Sequence, residues 1–301
     1  MKPQVIAVVG PTAAGKSALS LALAHELDAE VVNADSMQLY RGLDIGTAKL
    51  TVAERQGVPH HVLDIWDITQ PASVAIYQEL ARAAIDGIRA RGRTPLLVGG
   101  SGLYIRAVLE DFAFPGTDPD LRATLEAELA QVGPAALHAR LAAADPAAAE
   151  RILPSNGRRI VRALEVNTLT GATFTAELPE PRPVYDAVQL GVDLDTAALD
   201  ARIATRVDAM WAAGLVDEVR ELERQGLRDG RTASRALGYQ QVLGFLGGTC
   251  TESEAHAETI RATRRFVRRQ RSWFRRDARI RWLDAGAGEL PAAALAAMGQ
   301  D

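Results

Sequence analysis

Gly10-Pro11-Thr12-Ala13-Ala14-Gly15-Lys16-Ser17 sets two glycines, a lysine and a hydroxyl in the spacing G-x-x-x-x-G-K-S. The apolar run Val5–Val9 precedes it and a helical pattern, Ala18 to Leu27, follows it. Strand, glycine loop and helix together form the context in which successive backbone N–H groups turn inward around a phosphate. The helix N-terminus adds a partial positive charge and Lys16 a full one. Ser17 can hold the Mg2+ that travels with a polyphosphate. The anion-binding set expected from this spacing is Gly10, Thr12, Ala13, Ala14, Gly15, Lys16 and Ser17. The pattern specifies a polyphosphate, and neither ATP nor hydrolysis.

A hydrolase built on such a loop needs an acid at the end of a later strand, to place metal and water. The run Thr94–Val98 ends instead in Gly99-Gly100-Ser101. Asp35 closes a different run, Val31-Val32-Asn33-Ala34. Strand carboxyl ends line the ligand crevice of open parallel sheets, so the glycine loop, Asp35 and Ser101 should converge. Asp35 reads either as a base or as a helix cap with Ser36, and spacing leaves both readings open. A carboxylate beside a polyphosphate, without hydrolytic machinery, points to group transfer. The group is either a phosphoryl or whatever is esterified to a diphosphate.

These residues need a scaffold, and the pattern of the chain predicts one. Short apolar runs alternate with helical periodicity, the mark of an α/β fold with a parallel sheet flanked by helices. Strands are expected at Val5–Val9, Glu30–Ala34, His61–Ile65, Pro95–Val98, Val188–Val192 and Ile280–Leu283, and helices at Gly15–Leu27, Ser73–Arg91 and Gly102–Glu110. Residues 118 to 178 read as helix only, with Leu121, Leu125 and Leu129 on one face. Asp118-Pro119-Asp120 starts a helix, Pro134, Pro146 and Pro154 punctuate the segment, and Arg158–Thr170 stops at Gly171. The proline-rich stretch Leu178–Pro183 leads back to strand-like residues. The expected organisation is a core at residues 1–116, an all-helical insertion at 117–184, and the rest of the core at 185–301.

The 301 residues carry a net charge of −4, with 48% hydrophobic and 24% charged residues, which suits a folded chain with a sizeable core. The charge is unevenly spread. Ten arginines fall between Arg261 and Arg281 with one acid, Asp277, a basic patch that the average conceals. Arg261, Arg265, Arg268 and Arg275 share roughly one helical face, with Val267 and Phe274 toward a core. So few local acids favour phosphate contact over ion pairing. No signal peptide, bilayer-spanning run or multi-cysteine site is expected. The single cysteine, Cys250, suits a reducing cytoplasm, and His60 and His61 read as structural.

The sequence resembles the tRNA dimethylallyltransferases, also called tRNA isopentenyltransferases, along nearly its whole length. The matching motifs are Gly10–Ser17, the run from Asp35 to Lys49, Pro59–Ile65, Leu97–Tyr104, Arg162–Glu165, Arg202-Ile203 with Arg206, Ala236–Tyr239, and Arg269-Gln270 with Trp273–Arg275. The resemblance implies transfer of the dimethylallyl group from its diphosphate to N6 of the adenosine 3′ of certain tRNA anticodons. The glycine loop would hold the diphosphate of that donor, with Mg2+ on Ser17. It implies Asp35 as the base, Ser101 (where the family usually has threonine) as a hydroxyl supporting either the amine or Asp35, and Arg206 as a diphosphate contact. Read alone, Arg206 would be a solvated arginine paired with a neighbour such as Asp208. The resemblance further implies that Asp35, Ser36, Met37, Gln38 and Ser101 meet the extruded base. The anticodon stem-loop would touch Arg122, Arg158, Arg159, Ile160, Val161 and Arg162 of the insertion, and Arg268, Arg269, Gln270, Trp273 and Arg275 at the other end. Trp273 reads on its own as a packing anchor. A monomer with no membrane partner is expected. A small-molecule kinase, or a prenyltransferase of free adenine nucleotides, would share the core motifs but leave the insertion and basic helix without a use.

Overall fold

The computed structural model describes residues 4–112, 114–174 and 182–299. Six strands lie among them: β1 (Val5–Val9), β2 (Ala29–Asn33), β3 (His60–His61), β4 (Thr94–Gly99), β5 (Ala187–Asp193) and β6 (Ile280–Asp284). The helices are α1 (Lys16–Glu26), α2 (Val74–Ala90), α3 (Gly102–Leu109), α4 (Pro119–Ala144), α5 (Pro146–Arg151), α6 (Gly157–Thr170), α7 (Thr196–Ala212), α8 (Leu215–Arg224), α9 (Tyr239–Leu246), α10 (Glu252–Phe274) and α11 (Leu290–Met298). The chain divides into two units, residues 1–110 with 183–301, and residues 111–182.

In the first unit the strands form one sheet of order β3-β2-β4-β1-β5-β6, parallel throughout. Every residue of β1 is buried, as expected of a strand covered on both faces. Its alternation assigns the two layers. Val5, Ala7 and Val9 pack with Tyr40, Ile85, Val219 and Tyr239. Ile6 and Val8 pack with Leu19, Leu23, Leu199, Ile203 and Val267. Five strands fall within a residue or so of where the apolar runs predict them. The third differs: only His60 and His61 pair with β2, where His61–Ile65 was expected. Val62 and Asp64 adopt φ of 59° and 57°, which no strand accommodates. The chain turns there, and Trp66 bonds back to Leu39 and Arg41 instead.

In the second unit every regular element among the described residues is a helix. The Asp118 carboxylate accepts the N–H groups of Asp120 and Leu121, with Pro119 in the first turn, a well-formed start. Gly133, at φ 81° and ψ 167°, breaks α4 just before Pro134, because proline clashes with a preceding helical residue. Gly171 closes α6 at φ 67°, the left-handed cap that glycine adopts freely. Leu125, Leu137, Leu141, Ile160 and Leu164 form the core. Leu178–Pro181 of the proline-rich stretch lies outside the described residues.

Candidate active site

The end of β1 runs straight into the glycine loop. Gly10 sits at φ 136°, and a Cβ there would run into the Val192 carbonyl of β5, so only glycine passes. Gly15, at φ 107°, caps α1 without a side-chain hydrogen bond, leaving first-turn N–H groups free for an anion. Lys16 folds back so that Nζ donates to the Pro11 carbonyl at 2.7 Å. Burial pushes its ammonium down to about 8; the Asp35 carboxylate pulls it up and the Arg206 guanidinium pushes it further down.

Asp35 follows β2, held by a net of short bonds. Its N–H donates to Asn33 Oδ1 at 3.0 Å, and Asn33 Nδ2 donates to the Asp35 and Val62 carbonyls at 3.1 Å each. Tyr77 donates its hydroxyl to the Asn33 carbonyl at 2.9 Å. Asp35 Oδ1 accepts the Met37 N–H at 2.9 Å, so one oxygen caps a turn; no helix starts there, which corrects the helix-cap reading. The other has no hydrogen-bond partner among the described residues. Ser101 Oγ accepts the Ser36 N–H and meets Ser36 Oγ, both at 3.2 Å. It therefore braces the turn after Asp35 and makes no bond to the carboxylate itself.

Arg206, on α7, is half-buried. Nη2 donates to the Thr47 carbonyl at 3.1 Å, the same oxygen that takes Gln38 Nε2 at 3.1 Å. Asp208, its expected partner, binds His256 Nε2 at 2.9 Å, and Arg206 has no carboxylate partner among the described residues. Burial lowers its pKa, opposed by Asp35. Two cations and one carboxylate thus sense one another at the carboxyl ends of β1 and β2.

Helix α10 closes against the same loops. Cβ atoms on Gly99, Gly100 and Gly102 would strike the Ala34 backbone, Gln270 and the Trp273 indole respectively, so the glycines around Ser101 exist to admit close neighbours. Val267 and Phe274 are 2% and 3% exposed, the inward face expected of them. The expected scarcity of acids for the arginines does not hold, because other elements and earlier turns supply them. Glu258 takes Arg261 and Arg265; Asp193 takes Arg271 at 2.7 Å and Arg275 at 3.3 Å. Arg268 approaches Asp200 at only 4.0 Å and is 64% exposed. Arg269 lies over the Phe266 ring, its guanidinium carbon 5.8 Å from the centroid, with no carboxylate partner among the described residues.

In the second unit the expected contacts sort by burial. Arg122 and Arg162 both bind Glu165, which is fully buried. Burial alone would raise that carboxyl, but hydrogen bonds from the two arginines and the Asp118 N–H outweigh it and hold it below the usual range. Ile160 and Val161 are core side chains, 0% and 3% exposed, so the fold places both in the core rather than on the surface expected to meet RNA. Arg158 and Arg159 remain on the outer face of α6.

The IPP transferase family model matches residues 38–277. A tRNA dimethylallyltransferase of Salinispora arenicola is 76% identical over 294 residues, 98% of this chain and 86% of that protein. The chain belongs to the tRNA dimethylallyltransferase family. A second family member, from Streptomyces avermitilis, is 69% identical and covers 96% of this chain and 92% of its own. Among solved structures, a tRNA isopentenylpyrophosphate transferase from Bacillus halodurans superposes with a TM-score of 0.70 at 43% identity, over 94% and 90% of the two chains. A eukaryotic dimethylallyltransferase acting on tRNA gives 0.83 at 26% identity, over 98% of this chain and 77% of that one.

The run that marks the dimethylallyltransferase family most strongly, Asp35 to Lys49, turns out to be largely scaffold. Tyr40 is fully buried, with its hydroxyl on the Gln70 carbonyl. Lys49 Nζ binds the Tyr40 carbonyl, Asp44 and Asp64. Glu218 and Tyr239 hold the N–H groups at 45 and 46, and a Cβ on Gly46 would collide with Tyr239. His60 and His61 are structural as well, bonded to the Val58 carbonyl and to buried Glu30. One acid escaped sequence reasoning, Asp193: its partners Arg271 and Arg275 lie 78 and 82 residues away, so no local pattern exposes it. Glu165 belongs to the matching run Arg162–Glu165, but its bond to Arg122, 43 residues away, leaves no such local trace.

Proposed function

We propose that the protein transfers the dimethylallyl group from dimethylallyl diphosphate to N6 of the adenosine 3′ of the anticodon in tRNA, releasing diphosphate. The observation that carries this reading is the grouping of Lys16, Arg206 and a partly unpartnered Asp35 carboxylate at the strand ends. In the reaction N6 bonds to C1 of the donor, the C1–O bond breaks, and the N6 proton passes to Asp35. N6 is a poor nucleophile because its lone pair is delocalised into the ring, so proton removal matters. Lys16, Arg206 and the N–H groups of residues 13–17 would receive the charge growing on the leaving oxygen. Ser17 is exposed at the start of α1, so its hydroxyl is placed to join the phosphates around Mg2+, an ion that takes few protein oxygens at such sites. Bound there, it would neutralise diphosphate charge.

Mass spectrometry of nucleosides tests the reading. Protein, Mg2+, dimethylallyl diphosphate and unmodified tRNA give prenylated adenosine without ATP. Comparable prenylation of free AMP would return the protein to the nucleotide-modifying class. No helix among the described residues is long and apolar enough to cross a membrane.

The lowered Lys16 pKa adds a pH dependence. A bound diphosphate favours the charged ammonium, so its pKa rises on binding. Above the free value of about 8, binding must take up a proton and affinity falls with rising pH, by up to about tenfold per pH unit. Calorimetry of pyrophosphate binding in buffers of different ionisation enthalpy should show that uptake, and a flat affinity between pH 7 and pH 9.5 would remove Lys16 from the cradle.

Arg268 and Arg269 are the arginines of α10 that other groups hold least. Replacing either with alanine should reduce the salt slope of anticodon stem-loop binding by about one unit. An unchanged slope would mark that face as merely solvated.

A further inference from the structure

Gln270 stands among the arginines of α10, yet it is only 6% exposed. Its amide spans two loops: Oε1 accepts the Thr12 N–H at 2.9 Å, and Nε2 donates to the Gly100 carbonyl at 2.9 Å. Few side chains can do both, because the acceptor and the donor must sit at opposite corners of one rigid plane. The glycine loop has reason to need the brace. Gly10, Ala13 and Gly15 all hold positive φ, backbone that surrounding contacts must enforce.

We propose that Gln270 is a positioning residue for the transfer reaction and makes no contact with RNA. It ties the anion-binding loop to the Gly100–Ser101 turn, and Ser101 in turn braces the residues after Asp35. One amide thus keeps the diphosphate cradle in register with the base. The Thr12 N–H, bonded to Gln270, is the point at which that brace meets the cradle. Trp273, one turn along α10, seats the same turn by packing on Gly102. The inference rests on residues 10–17 being the diphosphate cradle.

The test uses the full chain with Gln270→Met, which keeps length and loses both bonds, and Gln270→Glu, which keeps an acceptor for Thr12 but sets an oxygen against the Gly100 carbonyl. Gly100→Ala disturbs the same contact with the glutamine intact. The probe is inorganic pyrophosphate with Mg2+ in calorimetry, alongside anticodon stem-loop affinity, thermal unfolding and single-turnover rates. Misplacement on the 1 Å scale costs up to about 10²-fold. Pyrophosphate affinity should therefore drop about tenfold or more in all three variants, and most in Gln270→Glu. KM for the prenyl donor should rise, with stem-loop affinity within about twofold of wild type. Loss of stem-loop affinity with pyrophosphate binding intact would make Gln270 an RNA contact and overturn the proposal. So would unchanged pyrophosphate binding in well-folded Gln270→Met. Lys16→Ala separates the two readings: if it binds pyrophosphate as wild type does, the cradle itself is misassigned, whatever the Gln270 variants show.

Discussion

Asp35→Asn should lower the single-turnover rate of dimethylallyl transfer by about 10²–10⁴ and leave stem-loop affinity nearly unchanged. Asparagine is the informative replacement because Asp35 Oδ1 also accepts the Met37 N–H. An amide oxygen can keep that bond, whereas alanine would free the turn and mix two effects. What asparagine cannot do is take a proton from N6. The substitution also removes a negative charge that acts on both Lys16 and Arg206. Pyrophosphate should therefore bind as well as before, or more tightly. A variant that loses rate and pyrophosphate affinity in equal measure would show that Asp35 only shapes the pocket.

Arg206→Ala should lower kcat by about 10²–10³, the range seen when one preorganised donor to a developing anion is removed. The guanidinium is half-buried, is bonded to one carbonyl, and has no carboxylate among the described residues. Burial depresses its pKa, only partly opposed by Asp35, so holding the charge there without a contacting carboxylate costs stability in the free protein. The variant should melt no lower than wild type while losing pyrophosphate affinity. Arg206→Lys should recover only part of the loss, since an ammonium cannot keep the Thr47 bond and reach the anion with the geometry of a planar fork. A rate within threefold of wild type in Arg206→Ala would place the leaving-group charge elsewhere.

The elements nearest the chemistry were legible because they depend on local pattern. β1, the glycine loop and α1 follow from an apolar run, two obligatory glycines and a helical period. Asp35 and Ser101 follow from their places at strand ends. The His61–Ile65 expectation failed because hydrophobicity reports burial without reporting φ, and Val62 and Asp64 are both half-buried in a turn. The RNA-facing expectations were blurred for a related reason. Arg122, Arg162, Ile160 and Val161 lie in or beside the run implied as RNA-binding, yet the fold spends two on Glu165 and two on the core.

The sequence by itself determined the class of fold, through alternating apolar runs and helical periods along the chain, and the glycine loop and the carboxylate at the next strand end, each written in a short local run. Only the tertiary structure decided which arginines stay free, what Gln270 holds, and why Gly100 and Gly102 are glycines. Those outcomes are contacts between residues far apart in the chain. Which donor meets which acceptor is settled by sheet order and helix packing, and neither leaves a local trace in the order of the amino acids.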